Sequence, residues 1–125
     1  MKFACASRQV IPDSPFYMIG YAGEQREKPA EGIRDIPEVN TMCMDIDGRI
    51  LCMCTVDVCV FSRDKTDAVR KQICDSFSMK YEDVSICSIH SHSCPNGTTD
   101  ENRGFNKHNH NDAFLKKGPF ARLSG

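Results

Sequence analysis

The stretch ILCMCTVDVCVFSRDKTDAVRKQICDSFSMKYEDVSICSIH, residues 50–90, predicts the central unit of the fold. Two short apolar runs flank a charged segment in which Val69, Ile73 and Phe77 recur at every fourth position. Apolar residues at this spacing share one face of an amphipathic helix, whereas short apolar runs of this kind are typical of strands. A helix that connects two strands makes a right-handed crossover, so the two strands are expected to pair in parallel.

The boundaries follow from the same pattern. We expect strands at about 49–60 and 84–89, with a helix over 65–79 that Ser62 or Asp64 caps. The strand at 49–60 is apolar on both faces, which is typical of a central strand covered on each side. The sequence VNTMCMDIDGRILCMC, residues 39–54, leads into this strand and contains an Asp-Gly pair between two apolar runs. That pair predicts a β-hairpin, with the preceding strand at about 39–46.

The remaining segments complete the predicted architecture. In KFACASRQVIP, alternate positions carry Phe3, Cys5 and Ser7, which indicates a first strand that ends by Pro12. The turn-rich segment 13–38 is expected to be a long loop. We therefore predict an incomplete α/β domain over 1–97, with a mostly parallel or mixed sheet and a flanking helix. The polar segment 98–125 has no periodicity, and we expect loop or disorder there, with a weak helix near DAFLKK.

Composition narrows the class of protein. The chain has 125 residues, which suits one domain, and 16 basic against 17 acidic residues give a net charge of −1. This balance lacks the basic excess of a nucleic-acid-binding surface. No apolar run is long enough for a signal peptide or for a membrane-spanning helix. We therefore expect a cytoplasmic protein without a transmembrane segment; the sequence leaves the oligomeric state open.

Eight cysteines, at positions 5, 43, 52, 54, 59, 74, 87 and 94, need an explanation. Six of them lie inside apolar or periodic segments, where a free cysteine behaves as a small hydrophobic residue. No CxxC pair occurs. We expect reduced, mostly buried thiols, while structural disulfides or a cysteine-rich zinc site remain as alternatives.

Two of the four histidines stand one residue apart, at His90 and His92, directly after the last predicted strand. Ligands bind at the carboxyl ends of strands in open α/β sheets. If the backbone stays extended, the two imidazoles point to the same side, because side chains alternate along a strand. Neutral imidazole is the commonest metal ligand among side chains, so the pair indicates a metal or catalytic site, the alternative being an ordinary surface loop.

Two further groups are candidates for the same region. Asp57 follows the apolar core of the neighbouring strand, where its carboxylate can hold a histidine ring nitrogen as a second-shell residue or simply cap a loop. His108 and His110, in KHNHND, belong to the polar segment and are expected to be solvated. Metal binding and, because the letters spell HNH, a nuclease are the alternatives for this second pair.

The segment IHSHSCPNG, residues 89–97, resembles the THTHSGPGG-type motif of the neutral ceramidase family, the zinc-dependent neutral/alkaline non-lysosomal ceramidases. Three other segments are similar to that family in the same order: the first strand ending in VIP, the glycine-aromatic turn MIGYAGEQ with Gly20 and Tyr21, and CTVDVCVFSRD. Together they cover about residues 3–97. The His-x-His-Ser core is fairly specific, whereas the other segments are weak on their own.

The resemblance implies that His90 binds Zn²⁺ and that His92 acts in catalysis beside the substrate, a lipid amide such as ceramide. The implied reaction is hydrolysis of the N-acyl bond. Cys94 stands where the family motif has its first glycine. The family's other zinc ligands, a histidine, a glutamate and a tyrosine, lie far downstream, and residues 98–125 do not clearly supply them. We therefore expect a truncated or partial form that lacks the full site, the alternative being a non-catalytic α/β binding module.

Overall fold

A computed structural model describes residues 1–10, 16–20, 28–95 and 97. Its elements, in chain order, are β1 (Lys2–Gln9), β2 (Glu38–Ile46), β3 (Arg49–Val56), α1 (Arg63–Phe77), a 3₁₀ turn (Tyr81–Asp83) and β4 (Val84–Ser88). Our expectations for residues 98–125, including His108, His110 and the weak helix, lie outside the described residues, as do those for 11–15 and 21–27.

The strands form one mixed sheet in the order β1-β2-β3-β4. β2 pairs antiparallel with β1 and with β3, whereas β3 and β4 pair in parallel, with Cys54 opposite Ile86. The helix α1 makes the connection between the two parallel strands. The predicted α/β class, with a mixed sheet and a flanking helix, is therefore confirmed.

The β2–β3 hairpin forms at the predicted Asp-Gly pair. Asp47 and Gly48 both have positive φ, at 53° and 87°. Such a pair is the requirement of a type I′ turn, whose twist matches that of the flanking strands. The Gly48 N–H also donates to Oδ1 of Asp45, at 2.8 Å. These interactions fix the register in which Ile46 faces Arg49.

β3 ends at Val56, four residues before the expected end, and this early end shapes the functional edge. The Asp57 N–H still donates to the Glu38 carbonyl at 3.0 Å, but the Val58 N–H turns back to the Val56 carbonyl at 2.8 Å. A bond between residues two apart is that of a γ-turn, and it takes the chain out of the ladder. Residues 57–59 therefore form a bend.

The core lies between α1 and one face of the sheet. Cys52, Cys54 and Val84 are buried there, and Ile73 and Met79 pack against them. Within the described part of the chain, α1 covers this face alone, because a single crossover places its helix on one side of the sheet. On the opposite face Met53 is 42% exposed. The expectation that β3 is covered on both faces is therefore wrong for the described residues.

The ends of α1 differ from the prediction in two respects. Phe77 is 73% exposed instead of packing on the sheet, because the helix ends there and Ser78 adopts a left-handed conformation with φ 53°. Met79, after the turn, contacts the core in its place. Ser62 occupies the N-cap position, but its side chain makes no capping hydrogen bond.

All eight cysteines are free thiols, which agrees with the expectation of reduced cysteines. Cys52, Cys54 and Cys59 are buried, whereas Cys5 and Cys87 are exposed. Among the helices that the structure describes, none has the length and apolar character needed to cross a membrane.

Candidate metal centre

The segments that follow β3 and β4 run side by side beyond the ends of the strands. The Ile89 N–H donates to the Val56 carbonyl at 3.2 Å, and the Ser91 N–H donates to the Val58 carbonyl at 3.3 Å. Because β3 and β4 are parallel, both segments leave the same edge of the sheet. This is the edge at which open α/β sheets bind their ligands.

Three side chains meet at this edge: Cys59 from the segment after β3, and His90 and His92 from the segment after β4. One candidate ligand atom from each lies within 4.8 Å of the other two. The Cys59 Sγ is 3.7 Å from Nδ1 of His90, and the two imidazole centroids are 5.0 Å apart at an interplanar angle of 67°. Cys59 is buried, His92 is half-buried and His90 is exposed. These three residues, the CHH cluster, can hold a metal ion.

The two imidazoles come together by a route that the sequence did not predict. The predicted arrangement was conditional on an extended backbone through His90, but β4 ends at Ser88 and His90 has φ 62°. A residue with a β-carbon pays roughly 1–2 kcal/mol for this left-handed conformation. Strained residues of this kind are concentrated at functional sites, where surrounding contacts hold them in place.

The ring of His90 is oriented by the main chain of Cys59. Its Nδ1 lies 3.1 Å from the Cys59 carbonyl oxygen. When Nδ1 carries the proton, it donates to this carbonyl and Nε2 presents its lone pair. In the other tautomer the Nδ1 lone pair faces the Cys59 Sγ. A backbone carbonyl is one of the usual groups that orient a metal-binding histidine.

Asp57 lies at the same edge of the sheet, and its carboxylate joins two strands. Oδ2 accepts a hydrogen bond from the Glu38 N–H at 2.9 Å, while the Asp57 N–H donates to the Glu38 carbonyl at 3.0 Å. Asp57 therefore clamps the start of β2 to the end of β3. Its second-shell role stays a prediction, and the Cys59 carbonyl occupies the orienting position beside His90.

Gly20 lies directly against His92. A β-carbon built on Gly20 would stand 1.8 Å from Nδ1 of His92 and 2.4 Å from its Cε1. The segment that carries Gly20 is brought here by a bridge between Met18 and Pro95. Gly20 also has φ 103°, a conformation that favours glycine. The absence of a side chain at Gly20 therefore makes the space that the imidazole fills.

The chain leading to Cys59 is buried. Val56, Val58 and Cys59 are each 3% exposed. This burial raises the pKa of the Cys59 thiol, because the thiolate would lose its hydration. Without a cation beside it, the side chain is therefore a neutral thiol at neutral pH.

Cys59 and Gly20 were not predicted as site residues. Cys59 was interpreted as a small hydrophobic residue of a strand. Its position near the end of one parallel strand, with His90 just after the next, is the signal that could have indicated it. Gly20 could not be assigned to His92 from sequence, because a long loop separates the two segments.

Comparison of the chain with protein-family models, with curated proteins and with solved structures found no significant match.

Proposed function

We propose that this chain carries the metal-binding part of a zinc-dependent amidohydrolase of the ceramidase type, which hydrolyses the N-acyl bond of ceramide-like lipids. The observation that carries the proposal is the CHH cluster at the carboxyl edge of the sheet, with His90 and His92 in the order of the HSHS motif. His90 is the proposed metal ligand and His92 the proposed catalytic residue.

The donor atoms of the cluster suit zinc. Imidazole nitrogen and thiolate sulfur are ligands that Zn²⁺ accepts, whereas Mg²⁺ and Ca²⁺ prefer oxygen. A zinc ion held by these residues would polarise an amide carbonyl and would lower the pKa of a water molecule to about 7. His90 is exposed to solvent, which gives a substrate access to it, whereas Cys59 is buried.

The proposed role of His92 is to exchange protons with a substrate held beside His90. Its ring is half-buried, 5.0 Å from the His90 ring by centroid distance, and Gly20 lies against its Nδ1 side. Histidine is the side chain that most often acts as a general acid or base, so it can give a proton to the amine that leaves when an amide is cleaved. Positioned general acids of this kind contribute roughly 10²–10⁴-fold to a rate.

The free thiols bear on the compartment. A thiol in the site must stay reduced to take part in metal binding, and all eight cysteines are free. Disulfides are rare in the cytosol because thiols are kept reduced there. We propose the cytoplasm as the location of this chain.

A turnover assay tests the function. The purified chain with one equivalent of zinc is incubated with a fluorescent short-chain ceramide, beside the His90→Ala and His92→Ala variants. We expect one equivalent of bound zinc, lost in His90→Ala, and at most slow release of the fatty acid, reduced further in His92→Ala, because the chain is proposed to be a partial form that lacks the full site. Failure of the unmodified chain to bind zinc would contradict the zinc hydrolase and favour the alternative, a non-catalytic α/β binding module that retains the fold only.

A further inference from the structure

We propose that Cys59 is a direct metal ligand, so that this chain supplies a three-residue Cys-His-His centre without ligands from any other segment. The inference rests on the metal-binding part of the proposed function and adds a residue that the ceramidase resemblance does not imply. It changes the expected ligand set from imidazole alone to imidazole and thiolate.

The distance between the donor atoms supports co-ligation. Zinc–sulfur bonds are about 2.3 Å and zinc–nitrogen bonds about 2.0–2.1 Å, so two such ligands at a tetrahedral angle lie about 3.5 Å apart. The Cys59 Sγ and Nδ1 of His90 are 3.7 Å apart. In the tautomer whose Nδ1 carries no proton, both atoms can therefore bind one ion, and the ring then gives up its hydrogen bond to the Cys59 carbonyl. His92 lies close enough to give the third ligand, a role that replaces the catalytic one proposed above for this residue, and the fourth position is then left open.

The backbone holds this arrangement before any ion arrives. The γ-turn at Val56–Val58 takes Cys59 out of the strand, and the bond from Ser91 N–H to Val58 carbonyl fixes the two segments beside each other. The left-handed conformation of His90 turns its ring toward Cys59. Three separate backbone features thus converge on one group of donors.

Binding of the metal ion to Cys59 releases one proton. The neutral thiol of Cys59 gives its proton to solvent as the sulfur–metal bond forms, and a divalent cation compensates the charge of the buried thiolate. The ligand set then contains one thiolate and two neutral imidazoles. Such a set favours Zn²⁺ and Co²⁺ over Mg²⁺, Ca²⁺ and Mn²⁺.

Cobalt is the spectroscopic probe for this ligand. We expect the full chain to bind one equivalent of Co²⁺ with a thiolate-to-cobalt charge-transfer band in the near ultraviolet. Cys59→Ser should lose this band and bind Co²⁺ at least tenfold more weakly. Cys87→Ser, which changes an exposed cysteine of β4, is the matched control and should keep both. Cys59→Ala serves as a second variant, and circular dichroism checks that each variant is folded.

The outcomes separate this inference from the proposed hydrolase. A charge-transfer band that depends on Cys59 supports the inference even if no ceramide is hydrolysed. A band that is unchanged in both Cys59 variants, or no uptake of Co²⁺ by the full chain, overturns it. Zinc-dependent turnover that is unaffected in Cys59→Ser also overturns the inference, while leaving the hydrolase in place.

Discussion

Gly20 makes the space in which the imidazole of His92 lies: a β-carbon on Gly20 would stand 1.8 Å from Nδ1 of that ring. A contact this short cannot be accommodated without moving one of the two residues. The glycine is therefore a positioning residue for His92, even though it offers no side chain of its own. The two residues are 72 positions apart and meet because Met18 pairs with Pro95.

Gly20→Ala should displace the His92 ring and weaken zinc binding by at least tenfold. Gly48→Ala is the matched control, because Gly48 also has a positive φ but an added β-carbon there meets no atom within 4 Å. Both variants pay for the left-handed backbone, and only the first meets the ring. Zinc affinity is measured by competition with a chelating dye. Equal affinities of the two variants would refute the positioning role.

A double-mutant cycle gives a second readout that does not depend on metal. In the His92→Ala background the imidazole is gone, so Gly20→Ala should cost less stability than it does in the unmodified chain. The free energies of unfolding come from urea titrations of all four proteins. Additive costs would mean that the contact between Gly20 and His92 is not made in solution.

At position 90 we expect zinc binding to require histidine, while the stability of the backbone favours glycine. Because its φ is 62°, His90→Gly should be more stable than His90→Ala by about 0.5–1 kcal/mol, although neither variant can bind zinc through this residue. His92 is the control, since its φ is not positive and glycine should bring no such gain over alanine there. Urea unfolding of the four variants measures the difference. A more stable alanine variant at His90 would show that the backbone is not left-handed.

Substitutions at Asp57 test whether this residue only joins β2 to β3 or also orients a metal ligand. Asp57→Ala removes the acceptor of the Glu38 N–H and should cost about 1 kcal/mol of stability, whereas Asp57→Asn keeps an oxygen acceptor and should cost less. Neither change is expected to alter zinc affinity by more than about threefold. Loss of a residue that orients a metal ligand typically costs about 10–100-fold in affinity. A loss of that size in Asp57→Asn would support the predicted role of Asp57 in orienting a metal ligand.

Cys52 should make stability depend on pH in the alkaline range. Burial raises the pKa of its thiol above the usual value of about 8.5. At a pH above that value the unfolded chain loses the proton, while the folded chain keeps it. Its contribution to stability is complete below about pH 8 and declines as the pH rises further, by up to about 1.4 kcal/mol per pH unit. Urea midpoints at pH 7.5 and pH 10 should therefore differ more for the unmodified chain than for Cys52→Ala. Equal shifts would contradict a protonated Cys52.

The fold was largely predictable because it depends on local patterns. The period of apolar residues gave α1, the Asp-Gly pair gave the β2–β3 hairpin, and the crossover rule gave the parallel pair β3–β4. The exposed face of β3 was not predictable in this way, since Cys and Met look the same in sequence whether a second layer covers them or not. Phe77 was misplaced because helical periodicity does not show where the helix ends relative to the sheet.

The candidate site was predictable only in part. The HSH pattern placed His90 and His92 at the carboxyl edge of the sheet, but it could not show the left-handed backbone that brings the rings together. Asp57 was predicted by residue type to orient a histidine, and this role stays a prediction. A main-chain carbonyl lies beside His90 Nδ1, and main-chain groups carry no sequence signal. Cys59 joins the cluster through the bend at 57–59. That bend depends on one hydrogen bond, from the Val58 N–H to the Val56 carbonyl.

Zinc K-edge X-ray absorption of the zinc-loaded, unmodified chain tests the central claim most directly, because it reports the atoms bound to the ion. The CHH cluster predicts one sulfur at about 2.3 Å and two imidazole nitrogens at about 2.0–2.1 Å, with one lighter ligand at the open position. A first shell of nitrogen and oxygen alone would exclude Cys59 from the site. A shell with two or more sulfurs would place the ion at other cysteines, and would contradict the centre at Cys59, His90 and His92.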